Sequence, residues 1–389
     1  MGLLGERRRA LPSQRGPRLG SERDEVGGGR DARLPLPHPG GPAVSLSGPD
    51  PRLTRDHLEA LFRKMAGRRI VVIGDAMLDI YLAGDAQRIS PEAPVPVVTV
   101  HTRRYALGGA ANVAANVAAI GAECRLVAVI GDDARGDSLR GELAQHRLAD
   151  RHIVVAAARP TTSKTRVTAR GQQVVRIDEE VDDPIDPRAE NQLLGQLDAA
   201  MGDADAVLIE DYNKGTLTPA AIERAMTLAA KRGVPVVVDP KFKHFFEYRG
   251  ATLFKPNRRE LEQAMGATLD LAHPDALPTA LEKLGVANLL LTLGAEGMVL
   301  VTTDRRITRI PTMAREVFDV SGAGDTVTAW VGTALAAGAS VREGAQVANY
   351  AAGVEVGKSG VAIVSPAEVL AMHEAQHDQL GKLRRGGLL

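Results

Sequence analysis

Five short apolar runs in this chain do not alternate with polar residues. They are Ile70-Val71-Val72-Ile73, residues 126–130, Val207-Leu208-Ile209, residues 234–238 and residues 289–293. A strand with one wet face alternates; a strand covered on both faces reads as a continuous apolar run. Helical patterns lie between the runs, at 109–120, 138–146 and 219–232. Strands separated by helices imply an α/β fold with a mostly parallel central sheet and helices on both faces. A helix over 53–65 precedes the first run, with Thr54 as N-cap and Leu58, Leu61, Phe62 and Met65 at helical spacing. Another strand is expected at 307–311. Two segments break the rhythm, 95–105 and 164–177, and read as half-exposed antiparallel strands with a turn at Arg170-Gly171-Gln172-Gln173. They predict a small β-sheet off the edge of the main one, built from about 80–106 and 161–180. In an open α/β sheet ligands bind beyond the carboxyl ends of the strands, so that small sheet would be a lid.

Composition sets the limits. The chain has 389 residues, 44% hydrophobic and 25% charged, enough for a large core. Formal net charge is zero, which gives no reason to expect a nucleic-acid or anionic-membrane partner. Cys124 is the one cysteine, so no disulfide framework exists and a reducing compartment fits. No apolar run reaches the length of a membrane span, and a cytoplasmic enzyme is expected. Residues 1–51 differ from the rest: they hold Glu6-Arg7-Arg8-Arg9, Gly27-Gly28-Gly29 and no aromatic residue, and are expected to be disordered. The organisation expected is this extension, one domain over 52–378 and a tail over 379–389.

Chemistry concentrates in Asp319-Val320-Ser321-Gly322-Ala323-Gly324-Asp325-Thr326, a loop that leads into an apolar helical run. The first amides of a helix are orphan donors at the positive end of its dipole, so Gly322, Ala323 and Gly324 form a candidate anion hole. Asp325 inside it is a candidate base for a hydroxyl proton. An ordinary helix start with Asp in its first turn is the alternative. Acidic or amide residues also follow strand ends: Asp75 and Asp79, Asp211, Asp239 and Asn257. Either they converge on one crevice or each is a turn or cap. Gly108-Gly109-Ala110-Ala111-Asn112 opens a helix, its glycines allowing close approach of a ligand and Asn112 suiting a sugar hydroxyl. Asn257 with Glu260 is either a capping box or a pair near nucleotide phosphates and the water shell of Mg²⁺, with Glu260 as the metal residue. Gly353 to Ser359 mimics a phosphate-binding P-loop, but its first glycine is one residue too close to the lysine and no strand precedes it.

Together these motifs resemble the ribokinase-like carbohydrate kinases of the PfkB family, over roughly residues 58–369. The matching parts are Gly108-Gly109 with Asn112, Asn257 with Glu260, and Gly322 to Asp325. The resemblance implies ATP and Mg²⁺ as cofactors, Asp325 as catalytic base and Gly322–Gly324 as anion hole. It places the nucleotide near Asn257, Glu260, Gly322 and Gly324. It places the sugar among Asp75, Asp79, Gly108, Gly109, Asn112, Asp211 and the lid. The stretches Gly74 to Asp79, Arg88 to Val98, Asp211-Tyr212 with Lys214-Gly215, and Asp239-Pro240-Lys241 are similar to the D-glycero-D-manno-heptose 7-phosphate kinases. Those phosphorylate the C1 hydroxyl for the ADP-heptose route to the lipopolysaccharide inner core. Ala76 and Ser321 are small departures from their pattern. Many such kinases are fused to a nucleotidyltransferase; with Leu389 soon after the kinase region, the stand-alone form is expected. A remote sugar phosphate needs a cationic clamp, for which Lys164 and Arg166, two apart on one strand face, and Arg88 are candidates; solvated edge charges are the alternative. A homodimer through the lid is expected. Another sugar kinase of the same fold, or a silent sugar-binding regulator, is the competing reading.

Overall fold

The computed structural model describes residues 44–46 and 53–385, except 273, 275, 315 and 316. In chain order the strands are β1 (Val44–Leu46), β2 (Arg69–Gly74), β3 (Ala76–Ile89), β4 (Pro96–Gly109), β5 (Glu123–Ile130), β6 (Ile153–Val155) and β7 (Ser163–Ala169). They continue as β8 (Gln172–Glu179), β9 (Ala206–Glu210), β10 (Val236–Asp239), β11 (Leu253–Phe254), β12 (Leu289–Thr292), β13 (Met298–Val301) and β14 (Ile307–Ile310). The helices are α1 (Arg55–Met65), α2 (Ala110–Ile120), α3 (Ala134–Gln145), α4 (Pro187–Met201) and α5 (Pro219–Arg232). Then come α6 (Arg258–Met265), α7 (Ala276–Leu284), α8 (Ala323–Ala336), α9 (Val341–Glu355) and α10 (Pro366–Arg385).

The main sheet runs β1-β14-β13-β12-β11-β10-β9-β2-β5-β6. From β12 to β6 every pairing is parallel; β13 is antiparallel to both of its neighbours. Each central strand sends successive side chains to opposite faces. Ile70 and Val72 join the core under α1, α2, α8 and α9; Val71 and Ile73 join the one under α4, α5 and α7. Both faces are therefore apolar, which is why the runs do not alternate. Local chemistry agrees with the ends of the helices. Thr54, Asp186, Thr218 and Ser340 accept backbone N–H bonds as N-caps, and Gly121, Gly233 and Gly266 close helices in the left-handed region.

The small sheet has the order β4-β3-β7-β8. β4, β7 and β8 were expected near these positions, and the lid was expected to begin near residue 80, but the sequence pattern assigns no strand to 76–89. β3 occupies that stretch and is the spine of the lid, antiparallel to β4 and parallel to β7. Its polar residues Asp79, Asp85 and Gln87 break any clean period, so the pairing decides its conformation. The β7–β8 turn is tighter than expected: Arg170 and Gly171 alone, both at positive φ, as a two-residue hairpin requires. Val44–Leu46, inside the stretch expected to be disordered, pairs in parallel with β14 at the edge of the sheet; 1–43 and 47–52 lie outside the described residues. The expected tail from 379 is helical as far as Arg385, where α10 ends. Among the described residues no helix is long and apolar enough to cross a membrane.

Candidate active site

α8 begins at the junction that the sequence singles out. Gly322, its N-cap, sits at φ +94°, a conformation that favours glycine. A Cβ there would lie 3.0 Å from Asn112 Nδ2 and 3.2 Å from Glu355 Oε1. Asp325, in the first turn, is buried. Asn112 Nδ2 donates to Asp325 Oδ2 at 2.8 Å, and the Tyr212 hydroxyl donates to Oδ1 at 2.7 Å. Burial pushes the Asp325 carboxyl up to about 6, against the pull of those two hydrogen bonds. The result is a fixed carboxylate that is ionised at neutral pH and basic enough to take a proton.

Two more carboxylates meet it. Glu210 ends β9 and Asp239 ends β10, neighbours in the sheet, and their oxygens and those of Asp325 lie within 4.8 Å of one another. Lys255, just past β11, donates to Asp239 Oδ2 at 2.7 Å. Burial works against the charge on Asp239, but Lys255 and Lys241 hold it below the usual carboxylate range. Lys255 also favours the charge on Glu210, but too weakly to offset its burial. Glu210 is wholly buried, neither of its oxygens has a hydrogen-bond donor, and burial beside Asp239 and Asp325 pushes its carboxyl well up.

A cavity of about 400 Å³ runs from Asp325 past Gly322–Gly324 to the start of α6, with Tyr212, Lys241, Lys255 and Asn257 in its wall. Asn257 and Glu260 form a complete capping box on α6 and also line this cavity. Glu260 accepts from Asn257 N at 2.8 Å through one oxygen and from Lys241 Nζ at 2.6 Å through the other. Both of its oxygens are thus engaged. The oxygen-only donor set with an unpartnered member is Glu210, Asp239 and Asp325, and it suits a hard cation such as Mg²⁺.

The sugar-side candidates have varied placements. Asp75 accepts the backbone N–H groups of Tyr212, Lys214 and Thr216, which pins the loop that aims Tyr212 at Asp325. Asp79 pairs with Arg166. Gly108 lies against Asp79, where a Cβ would be 2.6 Å from Oδ2. Gly109, at φ +54°, turns the chain from β4 into α2 and so delivers Asn112 to Asp325. Lys164 and Arg166 do share a strand face, but Lys164 is held by Glu180 at 2.7 Å and Asp178 at 3.4 Å. Arg88 is exposed at the far end of β3. Asp211 stands apart from the cavity, accepting from Tyr248 Oη and Asn213 N at a separate small depression with Lys243 and His244. Its neighbour Tyr212 reaches the site instead. Glu210, Tyr212, Lys241 and Lys255 were not singled out as site residues by the sequence. Their shared signal is position just at or past a strand end.

An anion-attracting helix start set against a base of this pKa provides what transfer of a phosphoryl group to an alcohol demands, and the class it defines is the sugar phosphotransferases. Residues 68–368 match the pfkB family of carbohydrate kinases, and the chain belongs to that family. It is 42% identical over 340 residues to the bifunctional protein HldE of Pelobacter propionicus, covering 87% of this chain and 70% of that one. Against the bifunctional protein HldE of Geobacter sulfurreducens the identity is 44% over 329 residues, 84% of this chain and 67% of that one. The chain thus spans about two thirds of the length of these relatives. Among solved structures, Arabidopsis thaliana ribokinase complexed with ribose and ATP superposes with TM-score 0.63 at 22% identity, covering 79% of this chain and 98% of that one. Escherichia coli phosphofructokinase-2 in complex with fructose-6-phosphate gives 0.65 at 18%, covering 79% and 99%. At those identities the likeness is one of fold, and the fold is ribokinase-like.

Proposed function

We propose that this sugar kinase transfers the γ-phosphoryl of ATP to the C1 hydroxyl of D-glycero-D-manno-heptose 7-phosphate, making the 1,7-bisphosphate for the ADP-heptose route to lipopolysaccharide. The observation that carries the chemistry is Asp325, fixed by Asn112 and Tyr212 at the start of α8. The choice of acceptor is supported by the resemblance of Gly74 to Asp79 and Arg88 to Val98 to heptose 7-phosphate kinases, and by relatives above 40% identity over most of the chain.

In this reading Asp325 accepts the C1 hydroxyl proton, the C1 oxygen bonds to the γ-phosphorus, and the bond to the bridging oxygen breaks so that ADP leaves with its electron pair. The amides at Ala323 and Gly324 and the ammonium groups of Lys241 and Lys255 stabilise the charge on the transferring group. Glu210 and Asp239 would hold Mg²⁺, which supplies charge neutralisation on the phosphates. Asp325 standing intact and oriented argues against a silent regulator. The single cysteine supports a cytoplasmic setting, and exposed Val174, Val175 and Ile177 on β8 support a homodimer through the lid. The test is ATP consumption across a panel of ribose, fructose 6-phosphate, heptose and heptose 7-phosphate. Heptose 7-phosphate should give the highest kcat/KM; a clear preference for another member overturns the assignment in favour of another sugar kinase of this fold.

A further inference from the structure

The register of the lid puts Arg104 of β4, Tyr81 of β3, Arg166 of β7 and Arg176 of β8 in one row across four strands. Directly paired residues share a face, so three guanidinium groups and one aromatic ring lie in a row, with Arg104 and Arg166 on either side of the ring and Arg176 beyond Arg166. Like charges in such a row repel, and a row of this kind persists when each is neutralised or when something else neutralises it. Arg176 is matched by Asp178 at 2.9 Å, and Arg166 by Asp79. Arg104 has no carboxylate in ion-pair contact among the described residues. It is exposed, and it stacks on the Tyr81 ring with its guanidinium carbon 4.4 Å from the centroid; the Arg166 guanidinium lies 5.4 Å from the same centroid. The ring holds Arg104 in place and leaves its N–H fork unused by any anion.

The place of this cation is as telling as its lack of a partner. The Tyr81 hydroxyl accepts from Val361 N at 3.3 Å, and Val361 lies 3.3 Å from where a Cβ on Gly322 would be. Arg104 packs on Gly360, at φ +70°, so closely that a side chain there would collide with the guanidinium. One short loop therefore separates Arg104 from the anion hole. On the next row of the same face, Asp79 leads back to Gly108 and the sugar-side turn. Lys164, in that row, is already neutralised by Glu180 and Asp178.

Resting on the reading above that the acceptor is a phosphorylated sugar, we propose that Arg104, with Arg166 beside it, binds the remote phosphate of the acceptor and selects phosphorylated over free sugars. A guanidinium fork matches phosphate bidentately, and Tyr81 pre-orders it, so little rotamer freedom is lost on binding. Arg104 is then a specificity residue on the lid, away from the transferring group.

The test measures kcat/KM for heptose 7-phosphate against heptose, and for fructose 6-phosphate against fructose, in the wild type, Arg104→Ala, Arg104→Lys and Gly360→Ala. Arg104→Ala should cut the ratio of phosphorylated to free acceptor by roughly 10- to 100-fold, the worth of a charge-assisted hydrogen bond. Arg104→Lys, a charge without a fork, should fall between. Gly360→Ala, which displaces the guanidinium, should follow Arg104→Ala. Added methylguanidinium should partly restore the ratio in Arg104→Ala, which a folding defect would not permit. An equal loss on both members of each pair, a rise in the KM for ATP of the same size, or no change overturns the proposal. If heptose 7-phosphate is no substrate but Arg104→Ala still loses the phosphorylated member of the pair that is used, the acceptor assignment fails and the phosphate site stands. A wild type that does not distinguish phosphorylated from free sugar removes the site.

Discussion

Both oxygens of Asp325 are engaged, one by an amide and one by a phenol, and the consequence is orientation as much as acidity. A carboxylate held this way cannot rotate away from an incoming hydroxyl. Asp325→Asn keeps the shape and loses the proton acceptor, so kcat should fall by roughly 10² to 10⁴ in steady-state assays with sugar affinity largely kept. Near-full turnover in that variant would remove Asp325 from the chemistry. The pH profile reads the same group. With the carboxyl at about 6, kcat/KM should be flat at neutral pH and fall as pH drops through about 6, because the protonated acid cannot accept the C1 proton. The Tyr212 hydroxyl favours the charged form, so Tyr212→Phe should move that acid limb to higher pH. A limb that stays in place would mean that it reports another group.

At the scale of elements, the start of α8 depends on Gly322. An L-residue in a left-handed conformation costs roughly 1–2 kcal/mol, and a Cβ here also crowds Asn112, the donor to Asp325. Gly322→Ala should therefore lower the melting temperature and depress kcat, with the loss in kcat exceeding what the stability change would cause in fully folded enzyme. Unchanged kcat would mean that Asn112 can shift without disturbing the base. This helix start was legible in the sequence, since two glycines, an acid and an apolar run occur together within a few residues. The central strands were legible for a similar reason: their double burial is written in their own residues. β3 was not, because its conformation comes from pairing with β4 and β7. Glu210 was hidden in the same way. It closes an apolar run, and its meaning comes from β9 lying beside β10, which brings Asp239 to it from 29 residues along the chain, as 239 − 210 gives. Lys255 likewise acquires a role only when β11 is laid beside β10. Asp211 reads the same in sequence as Asp75, but the strand's pleat turns its side chain to Tyr248 and away from the cavity.

Across the whole molecule, buried acids set how stability responds to pH. Glu355, at the end of α9, is wholly buried, and burial, then the charges of Asp325 and Asp319, push it up to about 8 against the opposing pull of the Ala362 backbone and Lys358. Asp325 and Asp211 are each pushed up to about 6, burial again leading. A carboxyl whose folded pKa exceeds its unfolded value binds more protons when folded. Its contribution is fully present below the unfolded pKa and is lost as pH rises through the folded one. For Asp325 and Asp211 that window ends near 6; for Glu355 it extends to about 8. Acids such as Asp203, held at about 2 by Arg125 and Arg69, act in the opposite sense, and their contribution is lost only as pH falls below the ordinary carboxylate range. Stability should therefore peak in mildly acid solution and decline towards pH 8. Between about 6 and 8 Glu355 contributes about 1.4 kcal/mol per pH unit where it alone titrates, and Glu210, also pushed well up by burial, acts in the same sense. Glu355→Gln keeps the shape and cannot ionise, so its melting temperature should fall much less over that stretch than the wild type's. Scanning calorimetry of both proteins at intervals from pH 5 to 8 reads this directly. Parallel curves would show that Glu355 is already neutralised by a bound cation or relieved by water, and that the decline has another origin.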